Sequence, residues 1–252
     1  FKQKTAYEML RSLVGSEMCI RDRANALFGA LVLNESLTAS ARRAFKWRHA
    51  NPLSAFRYIG QFKDLTPLLR VSFCFYVGIA VYPAVWVYFA TERFDWSPGL
   101  IGLSLAVFGG STFVVQAVLI RLAARYLGDI KTVKLGLMIQ IPTLAMIALV
   151  DSGALLLALT PLAALGSIGT PALQAIMSRA VDAESQGALQ GVLASLNAFA
   201  TMLALLGMTQ VFAYFSGSGA IIYLPGAPFL MSALLMAIGL GLFGRLHLST
   251  KS

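Results

Sequence analysis

Charge is scarce in this chain. Only 12% of its 252 residues are charged and 58% are hydrophobic, with a mean hydropathy of +0.73, a balance outside the range of water-soluble domains. Acids are scarcer still where the chain is most apolar: Asp129, Asp151, Asp182 and Glu184 all stand at the ends of long apolar runs, and none lies in the middle of one. The runs also hold no His pair, acid pair or Ser/His/Asp set, which excludes a membrane-embedded enzyme working by acid–base or nucleophilic chemistry. The two cysteines, Cys19 and Cys74, are far apart and one sits inside an apolar run, so neither a disulfide framework nor a metal site is supported. Ten-residue alternating segments are missing too, and with them an outer-membrane barrel. What remains is an all-α integral membrane protein that is not an enzyme.

The runs themselves are of spanning length. Gly99 to Ile120 carries no charge and Thr132 to Val150 carries only Lys134, each close to the ~20 residues that a crossing helix requires. Between them the stretch Arg121 to Lys131 reads as a short basic loop, which stays on the cytoplasmic side because cations near helix ends resist translocation. That hairpin orients the rest: Val71 to Ala90 crosses outward, Thr91 to Pro98 is an outer loop, Asp151 to Gly153 an outer turn, Ala154 to Ser178 crosses inward, Ala188 to Phe215 outward, and Ala227 to Leu246 inward. Every Lys and Arg after residue 23 falls on a segment so assigned to the inside, except Arg93. The formal charge of +9 is therefore a topology signal, and nucleic acid is not an expected partner.

Upstream the pattern changes. Residues 1–23 are neither membrane-like nor ordered as a signal peptide; they resemble a translated sequencing adapter and are expected to be a non-native leader. Ala24 to Leu33 is apolar over half the needed length and reads as a truncated transmembrane helix. Residues 34–67, with Arg42, Arg43, Lys46, Arg48, Arg57 and Lys63 against Glu35 and Asp64, read as a cytoplasmic loop between bundles. Residues 68–247 then form a six-helix transmembrane bundle. Six helices after a long cationic connection are the pattern of the C-terminal half of a two-bundle transporter, each half being two inverted triplets. The expected partners are the lipid bilayer, a small-molecule substrate and a missing N-terminal bundle of the same protein.

The polar side chains within the crossings are amides and hydroxyls. Gln116, Gln140, Asn197 and Gln210 lie deep in apolar runs, where an amide needs a partner on another helix. They read either as a cavity that hydrogen-bonds a polycyclic, partly polar substrate or as interhelical glue. Among the aromatics from Phe73 to Phe89, Tyr76 and Tyr82 are deep enough for a cavity, whereas Trp86, Tyr88 and Phe89 read as rings of the outer interface. Gly166, Gly169 and Pro171 soften one helix, and Gly187 and Gly191 have the small-xxx-small spacing that admits close helix approach. Arg125, Gly128 and Asp129 could latch one access state by charge, or Arg125 could simply fix topology.

Several stretches resemble the tetracycline-efflux branch of the drug:proton antiporters in the major facilitator superfamily: Ile101 to Gly109 with Gln116-Ala117, Gly169 to Ala175, and Gln186 to Gly191 with Ser195-Leu196. Ala50 to Leu53, Trp86 and the Arg121 to Leu135 loop are also similar, in order and at the family's spacing. The resemblance implies efflux of a drug such as tetracycline or a related small molecule in exchange for protons. It further implies alternating access, the proton gradient as energy source with no cofactor, and a bacterial inner membrane. Transport of another small metabolite by the same fold, or an inactive truncated fragment, is the alternative. Two positions depart from the branch: Gln140 stands where it places an acid, and the helix from Ala188 lacks a Gly-Pro pair near Ala204-Leu205. An amide can hydrogen-bond but cannot carry a proton.

Overall fold

The computed structural model describes residues 65–246 except 218 and 221 and, before them, only 23, 27–29 and 31–32. The expected leader and inter-bundle loop thus lie almost entirely outside the described residues, as does half of the expected truncated helix. Those of 27–32 that are described are helical and belong to a separate compact unit.

Six helical spans follow, each long and apolar enough to cross a membrane. Span 1 is α1 (Thr66–Ile79) and α2 (Val81–Phe94). Span 2 is α3 (Pro98–Val114), a π-helical turn at Val115–Leu119, and α4 (Ile120–Tyr126). Span 3 is α5 (Asp129–Leu149). Span 4 is α6 (Gly153–Gly166) and α7 (Gly169–Arg179). Span 5 is α8 (Gln186–Ser216), and span 6 is α9 (Ala227–Gly244). The chain is a multi-pass membrane protein.

The helices outrun the sequence boundaries. Span 1 begins at Thr66, with Pro67 in its first turn, and continues to Phe94, so most of the expected outer loop is helix. The basic loop likewise shrinks to Leu127-Gly128. Arg121 and Arg125 sit in the last turns of span 2, where the negative helix end favours them. Gly128 makes the reversal at φ 73°, a backbone conformation glycine adopts without strain.

Two spans are interrupted, and proline explains both. Pro83 has no N–H for the carbonyl of Ile79, and span 1 breaks at Ala80. Pro171 has none for the carbonyl of Ser167, which takes the N–H of Thr170 instead at 3.3 Å, and span 4 breaks at Ser167-Ile168. Pro161 frees the carbonyl of Leu157 without a break, because the Thr160 hydroxyl donates to it at 2.7 Å, one of the ways in which a membrane helix tolerates proline.

The packing repeats. Span 1 packs on spans 5 and 6, span 4 packs on spans 2 and 3, and spans 3 and 6 pack on each other. Exchanging the first triplet of spans for the second maps these pairs onto themselves, and it maps one broken span onto the other. Spans 2 and 5 are left on the flanks. Only 11% and 28% of their most apolar stretches are buried, against 44–56% elsewhere. The core between spans 1, 3, 4 and 6 is filled by Phe75, Phe89, Leu137, Leu144, Leu156, Phe229 and Met236.

Candidate functional site

Interrupted spans in matching positions of two repeats point to a binding site beside the breaks. Two residues past the break in span 1 stands Tyr82. Its hydroxyl accepts a hydrogen bond from Gln140 Nε2 of span 3 at 3.1 Å. Its ring lies against Phe108 of span 2 at 5.4 Å between centroids and against Trp86 and Phe229 at 6.0 Å each. Tyr82, Trp86, Leu105, Phe108, Thr160 and Ala163 line a recess of ≈ 270 Å³, counted with its open mouth. The figure includes open space outside the wall, and the wall's exposed surface is apolar. The lining comes from spans 1, 2 and 4.

Polar atoms of the wall are committed inward. Trp86 Nε1 donates to Ser104 Oγ at 3.0 Å, and Ser104 passes its own proton to the carbonyl of Ile101 at 2.7 Å. Trp86 and Phe89 are therefore 5% and 0% exposed, core residues and not the interface rings expected of them; Tyr88, 60% exposed, does fit that expectation. Gln140 is fully buried, and its Oε1 has no hydrogen-bond partner. The oxygen lies where a side chain on Gly166 would stand, so the amide fits only because that position is glycine. One turn earlier Gly136 meets the backbone of Gly169, whose N and Cα lie 2.7 and 2.9 Å from where a Cβ would be. The glycines of span 4 thus serve close packing of span 3 across the break.

Tyr76 sits before the same break and repeats the arrangement, its hydroxyl accepting from Gln174 Nε2 of span 4 at 3.2 Å. Gln116, Asn197 and Gln210 are exposed, the first within the π-helical turn and the others on span 5, and they do not join Gln140. A methyl group placed on Gly187 or Gly191 would have nothing within 4 Å; no helix of this bundle approaches them. At the end of span 2 Arg125 lies over the Tyr126 ring, 5.9 Å from its centroid. Asp129 pairs with Arg179 at the end of span 4. Gly128 is the turn between spans 2 and 3. At the opposite end of the bundle Arg93 donates to the carbonyl of Val150 at 3.0 Å and pairs with Asp151.

Sequence reasoning missed Trp86, Ser104, Thr160 and Gln174 as parts of the site. The spacing of Gln174 after Pro171 on a softened helix was the one available signal; a hydroxyl one residue before Pro161 was another for Thr160. Among the described residues no three His, Cys, Asp or Glu side chains gather as a metal site would need.

No family model matches the chain. It is 35% identical over 189 residues to the class C tetracycline resistance protein of Escherichia coli, a match covering 75% of this chain and 48% of that protein. It is 32% identical over 187 residues to the class G tetracycline resistance protein of Vibrio anguillarum, covering 71% and 48%. The chain therefore spans about half the length of these curated relatives. In fold it is similar to the human organic anion transporter MFSD10 (TETRAN), with a TM-score of 0.73 and 20% identity, over 88% of this chain and 54% of that one.

Proposed function

We propose that this chain, which belongs to the major facilitator superfamily among the tetracycline resistance proteins, is one six-helix half of a secondary-active exporter. In that reading a second bundle covers the flanks formed by spans 2 and 5, and the two halves rock about the Tyr82 recess to expose it to each side in turn. The exported molecule is a drug such as tetracycline or a related small molecule, the driving force is the proton gradient with no cofactor, and the membrane is a bacterial inner membrane. The observation that carries the reading is the recess itself, which is built beside two breaks in repeat-related spans.

A partner bundle is supported by the two flanking spans, whose apolar faces this bundle leaves uncovered. Proton exchange is assigned to the partner, because among the described residues every carboxylate stands in an end turn of a span or between spans and the position the branch fills with an acid is Gln140. That amide also favours a second reading, export of a small molecule other than tetracycline. Inner-end contacts such as Asp129 with Arg179 stay within this half and hold it rigid while it moves; as a charge latch, Asp129 acts through Arg179, while Arg125 lies over the Tyr126 ring.

Transport in inside-out vesicles tests the proposal. With the chain joined to its partner bundle, adding substrate to an acidified vesicle should release protons, and Tyr82→Ala should abolish that release while leaving the protein in the membrane. Proton release unaltered by Tyr82→Ala would remove the recess from the pathway, and no release with any of a panel of tetracyclines and planar drugs would refute exchange.

A further inference from the structure

One face of span 3 is left uncovered by the bundle. Val133, Leu137, Gln140, Leu144 and Ile147 are fully buried on the side that meets spans 4 and 6, whereas Leu135, Met138, Pro142, Met146 and Leu149 are exposed. Steps of three or four residues set these five in one stripe along the helix, and none of them is polar. From Leu135 to Met146 the stripe runs about 16 Å at ~1.5 Å per residue, which is about half of the ~30 Å hydrocarbon core and so the depth of one leaflet.

The stripe begins under two cations. Lys131 stands four residues before Leu135 and Lys134 four before Met138, and a spacing of three makes the two lysines neighbours on the helix surface. Arg125 lies across the two-residue turn at Leu127-Gly128, exposed, in the last turn of a helix that packs on span 3. Asp129, the acid of that turn, is taken by Arg179. Among the described residues Arg125, Lys131 and Lys134 have no acid partner.

We propose that this face of span 3 binds an anionic phospholipid, its phosphate held by Lys131, Lys134 and Arg125 and an acyl chain laid along the stripe. Charge complementarity selects that occupant: a zwitterionic headgroup brings a further cation to a place that already holds three, whereas an anionic one neutralises them. Lysine and arginine suit the position, because their stems follow apolar surface while the charged heads stay at headgroup level. The two methionines give the stripe unbranched, adaptable side chains that match a flexible hydrocarbon chain, and the stripe offers no hydrogen-bonding side chain by which a protein partner could be oriented. The inference goes beyond export and holds whichever solute the bundle moves.

Native mass spectrometry of the full chain, titrated with phosphatidylglycerol or with phosphatidylcholine of the same acyl chains, gives the dissociation constant of the first bound lipid. Each cation near an anionic headgroup multiplies the preference about fivefold, so phosphatidylglycerol should bind about a hundredfold tighter, and Lys131→Gln with Lys134→Gln should leave a preference of about fivefold. Lys131→Gln alone serves if the double variant loses its helical circular dichroism. Arg70→Gln with Arg245→Gln removes the same charge from exposed positions on spans 1 and 6 and should keep the preference within about twofold of the parent's. Met138→Asn interrupts the stripe and should weaken both lipids alike. Equal affinity of the parent for the two lipids overturns the proposal, as does an arginine pair that matters as much as the lysine pair, or binding unaltered by Met138→Asn. A dimer that forms in place of the lipid adducts would give the face to a second copy, and a preference lost on joining the chain to its partner bundle would give it to that bundle; either result overturns the lipid site.

Discussion

Replacing Gly136 by alanine tests the packing that places Gln140. A methyl group at Gly136 would stand 2.7 Å from the backbone N of Gly169, 2.9 Å from its Cα and 3.0 Å from the carbonyl oxygen of Gly166. All three are backbone atoms at the break in span 4, so no side chain can swing aside, and the two spans must separate by several tenths of an ångström. Overpacking of this kind costs about 1–3 kcal/mol, and separation also pulls Gly166 away from the buried amide. Opposing it is the helix preference of alanine over glycine, about 1 kcal/mol in water. The expected net loss is about 0–2 kcal/mol. Gly191→Ala is the internal control, since nothing lies within 4 Å of its methyl and only the propensity gain remains. Reversible unfolding in mixed detergent, or the midpoint of thermal aggregation by fluorescence-detected size exclusion, compares the two. Gly136→Ala should melt below the parent and Gly191→Ala at or above it. Equal midpoints for the two variants would refute the close approach of spans 3 and 4.

Other consequences follow from the same contacts. Asp129→Asn and Arg179→Gln should show a coupling below about 1 kcal/mol in a double-mutant cycle, because the Arg179 side chain is 69% exposed and screened by water. Arg125→Gln should show no coupling to Asp129 in the same cycle, and a coupling there equal to that of Arg179 would reassign the pair. Trp86→Phe removes the donor to Ser104 and should cost about 1 kcal/mol on the unfolding midpoint; an unchanged midpoint would mean that the bond to Ser104 contributes nothing. The same substitution should lower the intensity of the blue-shifted tryptophan emission that Trp86 shares with Trp96, since the two are 5% and 7% exposed; unchanged intensity on the blue side would show that Trp86 is not buried.

The six crossings were legible because they rest on a strong signal, long runs without charge. The helix ends were not. Arg93, Arg121 and Arg125 look like loop residues by charge, yet a helix continues past the apolar slab until proline, glycine or a cap stops it. Span 1 stops at Asp95, which turns to φ 49°, and Ser97, accepting from the N–H of Leu100, starts span 2 ahead of Pro98. The burial of individual amides was least legible. Gln116 and Gln140 sit in equally apolar runs, yet one is exposed and the other fully buried. In a water-soluble helix a polar face would separate them, but in lipid the outward face is as apolar as the inward one, so periodicity carries little information about which side a residue takes. The neighbours decide, here Gly166 and Tyr82, which stand on other spans far away in sequence. For the same reason Trp86 could not be told from an interface ring until Ser104 was seen to meet its indole N–H.

The central claim is that a bundle crosses the bilayer six times with its basic turn on the inner side. Its most direct measurement uses two chains lacking Cys19 and Cys74, one carrying Lys131→Cys beside the turn at Gly128 and one carrying Ser152→Cys in the turn between spans 3 and 4, both positions exposed. A membrane-impermeant maleimide applied to right-side-out and to inverted vesicles should label Ser152→Cys only in the first and Lys131→Cys only in the second. Labelling of both from the same side would contradict the account.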